Sequence, residues 1–177
     1  MAGKIAPRTA ATIVIADTSP IIGLSLIGGL GWLEPLFGSV HITRQVREEL
    51  LFNVEIDPRP GMAEIEQMIR KRILKEIQKD WRAPLFAHLD DGEASVLRAA
   101  ANQKGTCLVI IDETLGRRAA TELGIAVTGL VGLMLAAKKA RLIRKIAPVL
   151  ERLEQAQFRL SAQLTADALA MAGEDGK

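Results

Sequence analysis

The chain reads as an α/β protein built on a helix-covered, mainly parallel sheet. Three observations predict this class. Thr12-Ile13-Val14-Ile15-Ala16 and Thr106-Cys107-Leu108-Val109-Ile110-Ile111 are continuous, largely apolar runs rich in β-branched residues, the pattern of strands buried on both faces. Each run stops at an aspartate, Asp17 and Asp112. Strands alternate with stretches of helical spacing, which implies right-handed βαβ units.

The elements follow in order. Residues 1–10 are expected to form a loose tail. After the strand at 12–16, Thr18 or Ser19 caps a helix and Pro20 fits its first turn. A second helix or helical turn covers 31–37, and 39–42 is a short strand. Thr43 then caps a helix over 44–51, with Val46 and Leu50 on one face. Residues 53–60 hold two prolines and no periodicity, and are expected as a loop. A helix covers 62–72, and Ile73, Leu74 and Ile77 suit a strand or a helix end. Asp90 or Asp91 caps a helix reaching 103. The strand at 106–111 leads to a helix over 115–123, closed by Gly124, and to a short strand at 125–127. Helices follow over 130–140, 147–157 and 161–170, before a polar end at 173–177. The expected organisation is a domain over 11–160, followed by a C-terminal helix and tail at 161–177.

Composition narrows the function. A chain of 177 residues is one ordinary domain, and 49% hydrophobic residues exclude disorder as its main state. The formal charge of +2 predicts neither a nucleic-acid nor a membrane partner. Aromatics at 3%, with no Tyr, argue against a base-stacking platform. One Cys excludes a disulfide framework and a cysteine zinc site, and His41 and His88 are too far apart in the chain to suggest a histidine metal site. The uncharged stretch 21–33 is shorter than the ~20 residues that span a bilayer, so it is expected to be buried. A cytoplasmic protein without a membrane span follows.

Four carboxylates stand where chemistry is expected. Asp17 and Asp112 end buried strands, and ligands of parallel sheets gather outside those ends; ordinary turn or cap roles are the alternative. Glu49 lies on the helix after Thr43, and Glu93 lies in the first turn of the helix that begins near Asp91. A solvated face explains Glu48 and Glu49 equally well, and a helix dipole explains Glu93. Converging, the four like charges would need a cation, and magnesium or manganese suits an all-oxygen site for phosphodiester hydrolysis. Gly23-Leu24-Ser25-Leu26-Ile27-Gly28 misses the serine-hydrolase elbow by one residue, and the neighbouring glycines do not make a dinucleotide loop. Lys138, Lys139, Arg141, Arg144 and Lys145 form an uninterrupted basic run, either a solvated helix end or a strip for phosphates. Arg117 and Arg118 stand at a helix start where the dipole disfavours them, which suggests a specific partner for one of the two.

These segments resemble the PIN domain superfamily, and within it a PIN-like branch of unknown function related to toxins paired with small antitoxins. The resemblance rests on Ile13-Val14-Ile15-Ala16-Asp17-Thr18-Ser19-Pro20; Ile42-Thr43-Arg44-Gln45-Val46-Arg47-Glu48-Glu49-Leu50; Leu89-Asp90-Asp91-Gly92-Glu93-Ala94; Leu108-Val109-Ile110-Ile111-Asp112 with Gly116-Arg117; and Val127-Thr128-Gly129-Leu130-Val131-Gly132-Leu133. It covers about 12–160. It implies a three-layer α/β/α fold and a ribonuclease in which Asp17, Glu49, Glu93 and Asp112 hold Mg2+ or Mn2+ while water attacks an RNA phosphodiester. Thr18 and Ser19 would shape the site, and Arg117 would contact phosphate or fix an acid. Lys138, Lys139 and Arg141 would bind RNA. A small cognate antitoxin and a homodimer are the implied partners, with the apolar helices at 21–37 available as the dimer surface. A PIN-like module that binds nucleic acid or protein without cutting is the alternative. The third acid is Glu93 where many members carry Asp, and Glu113 stands beside Asp112 as a second candidate for the fourth.

Overall fold

The computed structural model describes residues 12–52 and 60–175. The expected tail at 1–10, and the expected loop apart from Pro60, lie outside them. The elements are β1 (Ile13–Ala16), α1 (Thr18–Leu26), a 3-10 turn (Leu30–Trp32), α2 (Leu33–Phe37), β2 (Val40–Ile42), α3 (Arg44–Leu51), α4 (Met62–Arg70), β3 (Leu74–Glu76), α5 (Asp91–Ala101), β4 (Cys107–Ile110), α6 (Thr114–Glu122), β5 (Ala126–Thr128), α7 (Leu130–Lys139), α8 (Ala147–Gln155) and α9 (Ala162–Ala172). Every expected strand and helix is present, with ends moved by no more than two residues. The ambiguous segment after α4 is a strand: Leu74 pairs with Val40 and Glu76 with Ile42.

The five strands are parallel, in the order β3-β2-β1-β4-β5. The chain builds outward from β1 to β3, then returns across β1 to lay down β4 and β5. Right-handed crossovers therefore place the helices of the two halves on opposite faces, giving three α/β/α layers. The strand order reverses between β1 and β4, the position at which parallel sheets open a crevice beyond their carboxyl ends. Ala16 pairs with Ile110 in register, so Asp17 and Asp112 flank that crevice.

Ile15, Val109 and Ile110 on the central strands are fully buried, as are Leu24, Leu97 and Met134 from the covering helices. Part of the stretch expected as a dimer surface faces this core. Ile21, Leu24, Leu30 and Leu33 have no exposed area, and α1 packs against α3, α4, α7 and α8 within the same chain. Among the described residues no single helix is long and apolar enough to cross a membrane. Among the described residues, α1 and the helical stretch after it, Leu30–Phe37, together reach that length and apolarity but meet at a bend of 111°.

The C-terminal helix is tied down by one carboxylate. Glu174 accepts from the backbone N–H groups of Ile146 and Ala147 at the start of α8 and from Lys138 Nζ at 2.6 Å. Burial alone would raise its pKa, but the bonds from Lys138, Ala147 and Ile146 together hold it below the ordinary glutamate range.

Candidate active site

All four acids lie at the carboxyl edge of the sheet, each delivered by a different segment. Asp17 is the first residue after β1 and is 4% exposed. Its extended backbone makes it the N-cap of α1. The cap expected at Thr18 or Ser19 is thus displaced toward the strand, because the extended residue directly after β1 already serves. Thr18, released from capping, donates its hydroxyl to Glu49 Oε2 at 2.5 Å. Ser19 is half-buried in the first turn of α1. The bond from Thr18 links the end of β1 to the last turn of α3. Neighbouring Glu48 faces solvent in an i,i+4 pair with Arg44, which resolves which of the two glutamates faces the site.

Glu93 is 4% exposed. Asp90 caps α5 by accepting from the Glu93 N–H at 2.8 Å. The Glu93 carboxyl rests against α6, where a Cβ at Gly116 would stand 2.5 Å from Glu93 Oε1. Asp112 Oδ1 accepts from the Leu130 N–H at 2.8 Å, so the positive end of α7 holds it. Glu113 is exposed, which decides between the adjacent acids in favour of Asp112. Gly129 leaves the room Asp112 needs: a Cβ there would collide with Asp112 Oδ1 and stand 2.9 Å from an Arg117 guanidinium nitrogen. Arg117 donates to the Ile111 carbonyl at 2.9 Å and its charge lowers the pKa of Asp112. It therefore fixes the end of β4 and its acid.

The electrostatics record the crowding. Burial, then the charges of Asp90, Glu93 and Glu49, push the Asp17 carboxyl up to about 7. Burial, then Asp90 and Glu113, raises Glu93. Burial raises Asp112 against the pull of Leu130 and Arg117. Glu93 Oε1 and Asp112 Oδ2 are buried without a hydrogen-bond partner. Buried oxygens of this kind are costly unless something is bound to them, and hard carboxylate oxygens are the donors magnesium and manganese prefer. The donor set therefore fits such an ion. Among the described residues no three ligating side chains already stand together as a finished metal site.

A family model described as a PIN domain matches residues 13–174. The chain belongs to the PIN-domain family. PIN domains have a nuclease-type fold, generally act as nucleases and typically use divalent metals. No curated protein matches the chain.

The basic run sits elsewhere. Lys139 and Arg141 are exposed, but Lys138 is half-buried and bonded to the Ala172 carbonyl and to Glu174. At 1.5 Å per residue Lys138 and Lys139 start about 12–14 Å along α7 from Leu130, with Arg141 just beyond the helix end, at the end of the PIN domain away from the acids. An open groove lined by Arg117, Arg118, Thr121, Gly124 and Val127 lies along α6 and β5, and none of the four acids lines it.

Proposed function

We propose that this PIN domain is a metal-dependent endoribonuclease, the toxin of a type II toxin–antitoxin pair, with Asp17, Glu49, Glu93 and Asp112 holding Mg2+ or Mn2+. The observation that carries the reading is the pair of partnerless buried oxygens on Glu93 and Asp112, beside an Asp17 whose proton is held to about pH 7 by burial and by Asp90, Glu93 and Glu49. A bound divalent ion supplies the positive charge that lets the acids ionise together and that favours water attack on a phosphodiester. The chain's own groups do the rest. Thr18 orients Glu49, the N-terminus of α7 orients Asp112, and Arg117 holds the backbone that carries it. Asp17 gives up its proton near neutrality, so the site gains this one negative charge as the pH passes about 7.

The toxin role, the small antitoxin and a homodimer follow from the branch of the family that the motifs resemble. The partly exposed residues of 21–37, among them Trp32, Leu36 and Phe37, remain the surface proposed for the dimer contact. The test is cleavage of a structured RNA by the purified chain with Mn2+ or Mg2+. Cleavage that stops with chelator and with Glu93→Gln supports the reading. RNA binding without cleavage under any divalent ion favours a non-cutting module.

The basic run gives a separable prediction. We assign RNA backbone contacts to Lys139 and Arg141, the two exposed members of the predicted trio. Replacing both by Ala is expected to weaken RNA binding and to reduce the salt slope by about 2. Lys138→Ala is expected to lower thermal stability instead, because it strips Glu174 of its ion pair. Unchanged RNA affinity in the double variant would make the run a solvated helix end.

A further inference from the structure

A second buried polar link lies at the same edge of the sheet and involves none of the four acids. Thr43 and Ser95 are 5% and 3% exposed, and their hydroxyl oxygens are 2.6 Å apart. Counting protons gives the direction of each bond. Ser95 Oγ donates its one proton to the Gly92 carbonyl at 2.7 Å, so Ser95 accepts from Thr43. Thr43 Oγ1 in turn accepts from the Val46 N–H at 3.3 Å. The result is a one-way chain, Val46 to Thr43 to Ser95 to Gly92, in which both hydroxyls donate and accept.

This chain joins the first turn of α3 to the first turn of α5, the helices that carry Glu49 and Glu93. Its last member is the residue on which the Glu49 carboxylate rests: a Cβ at Gly92 would stand 2.7 Å from Glu49 Oε1 and 3.0 Å from Oε2. Ser95 bonding to the carbonyl three residues back is a local habit of helical serines. The proton received from Thr43, 52 residues away in the chain, is not local.

We propose that Ser95, acting through Thr43 and the Gly92 carbonyl, is a positioning residue that sets how Glu49 and Glu93 approach one another and so sets the cation affinity of the acidic site. The inference rests on the reading of that site as a cation-dependent nuclease centre. Ser95 touches no acid itself. Its effect runs through the fixed distance between two helix starts, in the way that groups supporting metal ligands commonly act.

Two variants of the full chain separate this role from simple core packing. Ser95→Ala removes Thr43's acceptor and leaves the α3 cap in place. Thr43→Val keeps the volume and removes the hydroxyl, while Thr43→Ser restores it. Mn2+ binding is measured by calorimetry well below each variant's melting temperature, alongside RNA cleavage. Ser95→Ala and Thr43→Val are expected to bind Mn2+ about 10- to 100-fold more weakly. Their kcat at limiting Mn2+ should drop, with the KM for RNA within about twofold of the unaltered chain because no RNA-contacting group changes. Thr43→Ser should bind Mn2+ as the unaltered chain does. Variants that melt earlier yet bind Mn2+ normally would overturn the proposal and make the pair a core contact. The unaltered chain reports separately on the nuclease reading: if it binds no Mn2+, that reading fails and the positioning role fails with it.

Discussion

Asp17→Asn is expected to abolish divalent-dependent RNA cleavage and, without a divalent ion, to make the protein more stable at pH 8. The two effects have one cause. Asp17 is buried among Asp90, Glu93 and Glu49, and its pKa is raised from 3.8 to about 7. Between those values the folded protein binds more protons than the unfolded chain, so stability falls as the pH rises from about 4 through 7. At 1.36 kcal/mol per unit the shift amounts to at most about 4 kcal/mol, and side-chain relaxation leaves on the order of 1–3 kcal/mol. Asparagine keeps the shape and caps a helix as well as aspartate, but carries no charge. The variant should therefore melt several degrees higher at pH 8 in chelator, at roughly 2–4 °C per kcal/mol for a chain of this size, and should show a much flatter pH dependence. Added Mn2+ should raise the melting temperature of the unaltered protein at pH 8 and leave the variant near its starting value. A variant less stable than the unaltered chain at pH 8 in chelator would show that the Asp17 charge is already compensated.

The second large effect is expected at Gly116. In an exposed helix, Gly to Ala gains up to about 1 kcal/mol. Here the new Cβ would stand 2.5 Å from Glu93 Oε1 and 2.9 Å from Ile111 Cγ2. Ile111 is fully buried directly after β4 and has little room, so the flexible Glu93 carboxyl gives way. Overpacking typically costs about 1–3 kcal/mol, which the helical gain partly offsets. Gly116→Ala should therefore lower stability by no more than about 2 kcal/mol while reducing kcat by about tenfold or more, because Glu93 is driven from its place. Gly31, with open space around its Cβ position, is the control, and Gly31→Ala should cleave as the unaltered chain does. Equal activity of Gly116→Ala would mean that the position of Glu93 does not matter.

What could be read from the sequence follows the range of the interaction responsible. The two buried strands were legible because β-branched runs announce themselves locally, and the aspartates that end them fall where a parallel sheet places its ligands. β3 was ambiguous because three residues in a charged stretch become a strand only by pairing with β2. The cap of α1 was misplaced because Thr18 and Ser19 have suitable propensity, whereas the decision came from the extended backbone of Asp17. Lys138 looked like one of five equivalent cations. Glu174 bonds it from 36 residues away, a pairing no local window contains. In the apolar helices at 21–37, hydrophobicity alone does not say which residues the chain's own core covers: Ile21, Leu24, Leu30 and Leu33 are buried, whereas Trp32, Leu36 and Phe37 are only partly so. The choices between Glu48 and Glu49, and between Asp112 and Glu113, needed the contacts with Thr18 and Leu130. Ser95 gave no signal, since a serine inside a helix is unremarkable until Thr43 is seen beside it.

The central claim is that acids from four separate segments form one cation site at the crevice between β1 and β4. Anomalous diffraction from crystals of the full chain grown with Mn2+ tests it most directly. The account predicts a peak within about 2.0–2.6 Å of carboxylate oxygens from Asp17 and at least two of Glu49, Glu93 and Asp112. Saturating Mn2+ with no peak at these residues, or a peak only at other carboxylates, would contradict it.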